Sequence, residues 1–275
     1  MMKDLILTFY VLCHELLTAL NIREDSQVKM NNAEVMTVVL TAAAFFAGHQ
    51  RNAADFLKEH GYIPGMLSES RLNRRIHAID DYVWEALFFI LAETFKNRCI
   101  GQEYITDSFP VPVCDNIRIS RSKIFQGEEY RGYIASKRRY FYGIRVHMTV
   151  TASGEPVEFL FAPGAESDLK VLKQQRFDLP DGSVCYGDKI YNDYKYEDFL
   201  REIAGIILKP IRKKNSKRAE GDSFDRRAAR HIRKRVETTF SSVTNFFPKK
   251  IHAVTSKGFA LKVMSFIMVF AIQSL

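Results

Sequence analysis

The chain has 275 residues, of which 47% are hydrophobic and 26% are charged, a globular composition that excludes a disordered chain and predicts one or two domains. Its net charge of +8 favours a polyanionic partner, and the four cysteines include no CxxC pair, so reduced thiols are predicted rather than a zinc half-site of that type. The longest apolar run, residues 263–275, is too short to span a membrane, and acidic residues at positions 4 and 15 argue against a signal peptide, so we expect a cytoplasmic protein without membrane contact.

Helical spacing dominates the first 98 residues. Apolar residues recur every three or four positions from Leu5 to Leu20, and further helices are predicted from residue 31 or 32 to 46, at 50–60, after Ser68 or Ser70, and from residue 80. Short helices joined by a turn fit a helix-turn-helix-like module, in which the candidate DNA contacts are Arg71, Arg74 and Arg75. The alternative is a plain helical bundle, which the eight basic and twelve acidic residues of positions 1–95 favour.

Beyond residue 99 the pattern changes to strands alternating with helices. Five strands are predicted, at residues 103–106, 140–150, 157–161, 184–186 and 206–208, and helices at 167–174, 193–203, from 222 or 223 through 240, and at 257–273. The first three strands should pair as a meander, whereas the later two arrive through helices and should lie parallel to the first. This order predicts an α/β (α+β) fold with a mixed five-stranded sheet and flanking helices in a second domain, residues 99–275, after an all-helical N-terminal region, residues 1–98.

Three carboxylates stand out from this pattern. Asp107 and Asp188 each follow a predicted strand, and Glu237 lies on the predicted long helix. If the two strands are parallel neighbours, both aspartates meet at one edge of the sheet, where the helix can bring Glu237 as well. Such an oxygen-rich site suits Mg²⁺. The alternatives are a turn or cap role for each aspartate and an exposed ion pair between Arg233 and Glu237.

Two basic segments flank the predicted strands. Residues 118–147 hold eight Lys or Arg against two acidic residues, and residues 209–235 hold twelve against three. They suit a phosphate backbone, although solvated loops are the alternative. The candidate phosphate contacts are Arg118, Arg121, Lys123, Lys137, Arg138, Arg139, Arg226, Arg230 and Arg233. Tyr140 and Tyr142 are predicted to be core residues rather than base-stacking platforms, and His147 to lie on the polar face of its strand.

From Tyr104 onward the chain resembles the DDE transposases of bacterial insertion sequences. The likeness rests on the runs YITDSFPV at 104–111, YFYGIRVHMTV at 140–150, YGDK at 186–189 and RKRVE at 233–237. It implies an RNase H-like catalytic core in which Asp107, Asp188 and Glu237 form the catalytic and metal-binding triad, with two Mg²⁺ or Mn²⁺ ions per site. Many relatives carry Lys or Arg seven residues after the glutamate to hold a DNA-end phosphate. Thr244 occupies that position here, and Lys189, Lys249 or Lys250 is expected to take that contact.

The resemblance also implies an activity and partners. The expected activity is metal-dependent cleavage at insertion-sequence ends followed by strand transfer into target DNA. The expected partners are double-stranded DNA, as terminal inverted repeats and target, and a second copy of the chain in a homodimer on that DNA, in association with the bacterial nucleoid. Two alternatives remain, an RNase H-like nuclease without strand transfer and a non-catalytic DNA-binding repressor derived from a transposase.

Overall fold

A computed structural model describes residues 2–25, 27–114, 116–212, 216, 218, 234 and 237–275. Its helices are α1 (Met2–Ala19), α2 (Asn32–Phe45), α3 (Gln50–Glu59), α4 (Glu69–Ala78), α5 (Asp81–Arg98), α6 (Asp168–Leu172), α7 (Tyr194–Ala204), α8 (described over 237–246) and α9 (Ser256–Ile272). Its strands are β1 (Glu103–Cys114), β2 (Arg131–Ile134), β3 (Arg139–Thr151), β4 (Pro156–Pro163), β5 (Val184–Gly187) and β6 (Ile207–Pro210). Short 3₁₀ helices occupy Asn116–Arg121, Glu128–Tyr130, Ala135–Lys137 and Lys189–Tyr191.

Contacts along the chain define two compact units. The first comprises Met1–Leu91 and Phe246–Leu275, and the second comprises Ala92–Asn245. The predicted boundary at residues 98 and 99 lies near the first division, but the predicted second domain included the last helix, which in the structure packs with the first unit. None of the helices in the described part of the chain is both long and apolar enough to cross a membrane.

The first unit is built around α2. This helix is buried along almost its whole length and contacts α1, α3, α4 and α9, as expected for a helix that is apolar on every side. Its start is fixed by a capping box, in which Asn31 Oδ1 accepts from the Glu34 N–H and Glu34 Oε2 accepts from the Asn31 N–H, both at 2.8 Å. The predicted helices of this region are confirmed, with α9 adding an apolar face that α2 covers.

The second unit contains a mixed sheet whose strands, within the described residues, number six rather than the predicted five. The order is β2-β3-β1-β5-β6, and β4 also pairs with β3. The predicted meander is confirmed, because β3 runs antiparallel to both β1 and β4, and β5 and β6 are parallel to β1 as predicted. The additional strand is β2, which pairs antiparallel with residues 139–142 of β3.

Strand β1 is longer than predicted and does not end at Asp107. The parallel partner β5 ends opposite Thr106, so among the described residues 107–114 pair only with β3, and no second described strand pairs with their other edge. Prolines lack the N–H that such a ladder requires, but an open edge tolerates them, and this is why Pro110 and Pro112 lie inside a strand. The prediction that this strand ends at residue 106 was therefore wrong.

Candidate active site

Parallel pairing of β1 and β5 brings Asp107 and Asp188 to the same place. Thr106 is the register partner of Gly187, so the two aspartates are the next residues on adjacent strands, whose spacing is about 4.8 Å. Asp107 lies within β1, and Asp188 directly follows the last residue of β5. The predicted adjacency of these strands is confirmed.

Both carboxylates are oriented by the backbone immediately after them. Asp107 Oδ1 accepts a hydrogen bond from the Ser108 N–H at 2.8 Å, and Asp188 Oδ1 accepts one from the Lys189 N–H at 2.7 Å. Asp188 thereby caps the short 3₁₀ helix Lys189–Tyr191, so the cap role considered as an alternative for this residue is present. Each bond uses one oxygen of the carboxylate and fixes the direction of the other.

The electrostatic environment of Asp107 is unusual for an aspartate. Burial raises the pKa of Asp107 from 3.8 to about 7. The hydrogen bond from the Ser108 N–H opposes this rise, and the negative charges of Asp188 and then Asp168 add to it. A desolvated carboxyl group beside a second carboxylate is a donor set of hard oxygens with surplus negative charge. That chemistry fits a divalent cation such as Mg²⁺.

Glu237 lies on the helix that packs over this part of the sheet. The Phe240 ring on α8 meets the Phe109 ring edge-on, with centroids 6.5 Å apart. Phe240 is one turn after Glu237, and Phe109 is two residues after Asp107, so each pair shares a side of its element. Within the described residues no group of three His, Cys, Asp or Glu side chains is placed to hold a metal ion, and Glu237 is exposed. Convergence of all three carboxylates therefore stays a prediction.

A polar network that the sequence did not reveal lies on the opposite face of β1. Ser108 Oγ donates to Asp168 Oδ1 at 2.8 Å, and Arg145 Nη1 donates to both oxygens of Asp168 at 3.3 Å. His147, predicted to lie on a polar face, is fully buried, and its Nε2 lies 3.7 Å from Asp168 Oδ1. The period-2 alternation of Arg145 and His147 on β3 was visible in the sequence, but their partner on α6 was not.

The predicted phosphate contacts differ in their surroundings. Arg75 is half-buried, and its Nη2 bonds to Glu24 Oε1, to the Met30 carbonyl and to Asn32 Oδ1, so it braces the segment before α2. Arg71 and Arg74 are exposed and line, with Lys29 and Arg75, an open cleft of about 350 Å³. The other exposed cations of the predicted set are Arg118, Arg121, Lys123, Lys137, Arg138, Arg139 and Lys189. Arg226, Arg230 and Arg233, together with the ion pair considered for Arg233, lie outside the described residues.

Part of the second basic segment is neutralised by acidic residues on α7. Glu197 is buried and accepts from Arg212 at 2.7 and 2.8 Å, and Arg218 bonds to both Glu197 and Asp198. The Arg212 and Arg218 guanidinium groups also lie over the ring of Tyr194. These two arginines therefore hold the segment after β6 against α7.

A mixed sheet with two aspartates directly after the last paired residues of adjacent parallel strands is consistent with an RNase H-like core. Comparison with family models gives a match to the transposase DDE domain over residues 96–254, which is more than half of the chain. The chain belongs to this family of DDE transposases. Comparisons with curated proteins and with solved structures gave no match.

Proposed function

We propose that this protein is a DNA transposase that cuts DNA at insertion-sequence ends and joins the freed strand to target DNA, with Asp107, Asp188 and Glu237 as its catalytic and metal-binding residues. The observation that carries the proposal is the β1–β5 register, which sets Asp107 beside Asp188. Burial, with a smaller contribution from the charge of Asp188, raises the pKa of Asp107 to about 7. Membership of the DDE transposase family supports this reaction class. The packing of Phe240 on Phe109 supports the inclusion of Glu237.

The residues of this chain contribute charge and orientation to the reaction. Asp107 and Asp188 offer carboxylate oxygens whose direction is fixed by the N–H groups of Ser108 and Lys189. Two Mg²⁺ or Mn²⁺ ions held by the triad would supply activation of the attacking oxygen and stabilisation of the leaving oxygen in an in-line displacement at phosphorus. The burial that raises the pKa of Asp107 also strengthens its attraction for a cation, because the local dielectric is low.

The DNA is held by the exposed cations of the second unit and by those of α4. Lys189 follows Asp188 directly and is exposed, so it lies where a phosphate near the carboxylates would be contacted. Arg118, Arg121, Lys123, Lys137, Arg138 and Arg139 extend this positive surface beyond the end of β1, and Arg71 and Arg74 offer a second contact region. Two element ends are joined to one target, so we infer a homodimer on DNA.

The experiment uses labelled DNA that carries the ends of the insertion sequence, a supercoiled target plasmid, and Mg²⁺ or Mn²⁺. We expect joined products with the wild type and none with Asp107→Asn, Asp188→Asn or Glu237→Gln. Asp181→Asn and Glu202→Gln, which change exposed acids of the same unit, serve as matched controls and retain activity. Cleavage without joining would favour the nuclease alternative. DNA binding with no cleavage under any divalent cation would favour the repressor and overturn the proposal.

A further inference from the structure

Unequal strand lengths create a ribbon that extends past the two aspartates. β5 ends at Gly187, whereas β1 continues to Cys114 and β3 begins at Arg139, with β2 on its far side. Met148 is the register partner of Asp107, and Tyr140 lies eight residues from Met148, or roughly 26 Å along β3. The ribbon therefore carries side chains that are remote from the carboxylates but belong to the same sheet.

Two tyrosines lie side by side near the end of this ribbon. Tyr133 on β2 and Tyr140 on β3 are register partners with ring centroids 5.0 Å apart, and they are 46% and 52% exposed. The prediction that Tyr140 is a core residue was wrong, whereas Tyr142 is buried as predicted and its hydroxyl donates to the Gly127 carbonyl at 3.1 Å.

Basic residues lie close to the tyrosine pair, in contact or nearby along the chain. The Arg131 guanidinium carbon lies 5.2 Å from the centre of the Tyr140 ring. Arg131 is paired with Glu128 at 3.7 Å. Lys137 and Arg138 in the connection between β2 and β3, and Arg139 at the start of β3, are exposed and form no ion pair within the described residues. Exposed aromatic rings beside unneutralised cations are the combination that binds single-stranded nucleic acid, because bases stack on the rings while the cations meet the phosphates.

We propose that Tyr133 and Tyr140, with Lys137 and Arg138, form a binding site for an unpaired segment of DNA. Alternation along β3 puts Tyr140 on the same sheet face as Met148 and hence Asp107, so one DNA molecule can contact both regions. Bases inside a duplex are covered on both faces by their neighbours, and only an unpaired or terminal base offers a free face to a tyrosine ring. This inference rests on the proposed function in so far as DNA is the substrate.

The test measures binding in buffer with a chelator, so that cleavage plays no part. Two probes share one duplex, and one of them adds a short single-stranded thymine tail that contains 2-aminopurine. We expect Tyr133→Ala combined with Tyr140→Ala to weaken binding of the tailed probe about tenfold, and to leave binding of the plain duplex within about twofold. Stacking on the wild type should also quench the 2-aminopurine fluorescence.

Two control variants separate stacking from folding and from general charge. Replacing both tyrosines by phenylalanine keeps the rings and should restore tail binding and quenching. Tyr82→Ala removes a tyrosine of similar exposure, 51%, from α5 and should change nothing. If the alanine variant binds the tailed probe as the wild type does, or if it loses the duplex equally, the site is refuted. Tail binding without any strand joining would instead refute the transposase activity and leave this site standing.

Discussion

The raised pKa of Asp107 predicts that Asp107→Asn, which we expect to abolish activity, will stabilise the fold. The folded protein holds a proton at this carboxyl up to about pH 7, whereas an ordinary aspartate, as in the unfolded chain, loses it near 3.8. Ionising Asp107 in the folded state therefore costs free energy. That cost is absent below pH 3.8, grows as the pH rises, and is complete above pH 7. Asp107→Asn removes the charge and retains an oxygen for the Ser108 N–H.

The difference between the two pKa values corresponds to about 4 kcal/mol as an upper bound, because each unit is worth about 1.4 kcal/mol. Asp107 keeps some solvent contact, so we expect a gain of about 2 kcal/mol for Asp107→Asn above pH 8 without divalent cation. The melting temperature should rise by about 5 °C. Near pH 4 the gain should disappear, since the wild-type carboxyl is then neutral in both states.

Thermal unfolding of wild type and variant across this pH range measures the effect directly. The same measurement with Mg²⁺ is a second test, because a cation bound by the two aspartates would raise the melting temperature of the wild type at high pH and would raise that of the variant less. Asp181→Asn is the control, since it removes an exposed carboxylate from the same unit. A variant less stable than the wild type above pH 8, or a difference that does not change with pH, would refute this account of Asp107.

Three further predictions concern stability. Glu197→Gln removes the buried carboxylate charge that pairs with both Arg212 and Arg218. Urea titration should therefore show a loss of about 3 kcal/mol in the free energy of unfolding, whereas the exposed control Glu202→Gln should stay within about 0.5 kcal/mol. Burial lowers the pKa of His147 from 6.5 to about 4, so the free energy of unfolding should fall as the pH drops through that range. His147→Gln should make this fall shallower. A variant with the same dependence of stability on pH as the wild type would contradict the lowered pKa of His147. Asn31→Ala should lower the free energy of unfolding by about 1 kcal/mol in the same titration, whereas Asn31→Asp should retain most of the stability that the cap contributes. Equal losses for the two variants would argue against the capping box.

The elements that the sequence predicted well carry their determinants locally. α2 begins where Asn31 and Glu34 cap it, and β3 follows a strict alternation of apolar side chains. The parallel arrangement of β5 with β1 also followed, because a helix-containing crossover connects such strands. From these inferences Asp107 and Asp188 were expected to meet if their strands were neighbours, and the β1–β5 pairing fulfils that condition.

What the sequence did not reveal depends on pairing between distant segments. β2 has four residues and includes Gly132, so by itself it has no strand signature and exists because β3 pairs with it. The apolar pattern of α9 shows that the helix is buried, but not that α2 is what covers it. The bonds from Ser108 and Arg145 to Asp168 join residues that are up to 60 positions apart. No local pattern encodes such partners.

A single geometric feature underlies both proposals made for this protein. Aspartate is disfavoured inside strands, yet Asp107 is followed by seven more residues of β1. It is tolerated because the neighbouring strand stops at Gly187, so that in the described part of the chain no strand continues beside Asp107 on that edge of β1. The same early end of β5 frees the ribbon that carries Tyr133 and Tyr140. Extending β5 by two residues would therefore affect both regions, since it would close the edge at Asp107 and give the ribbon a new neighbour.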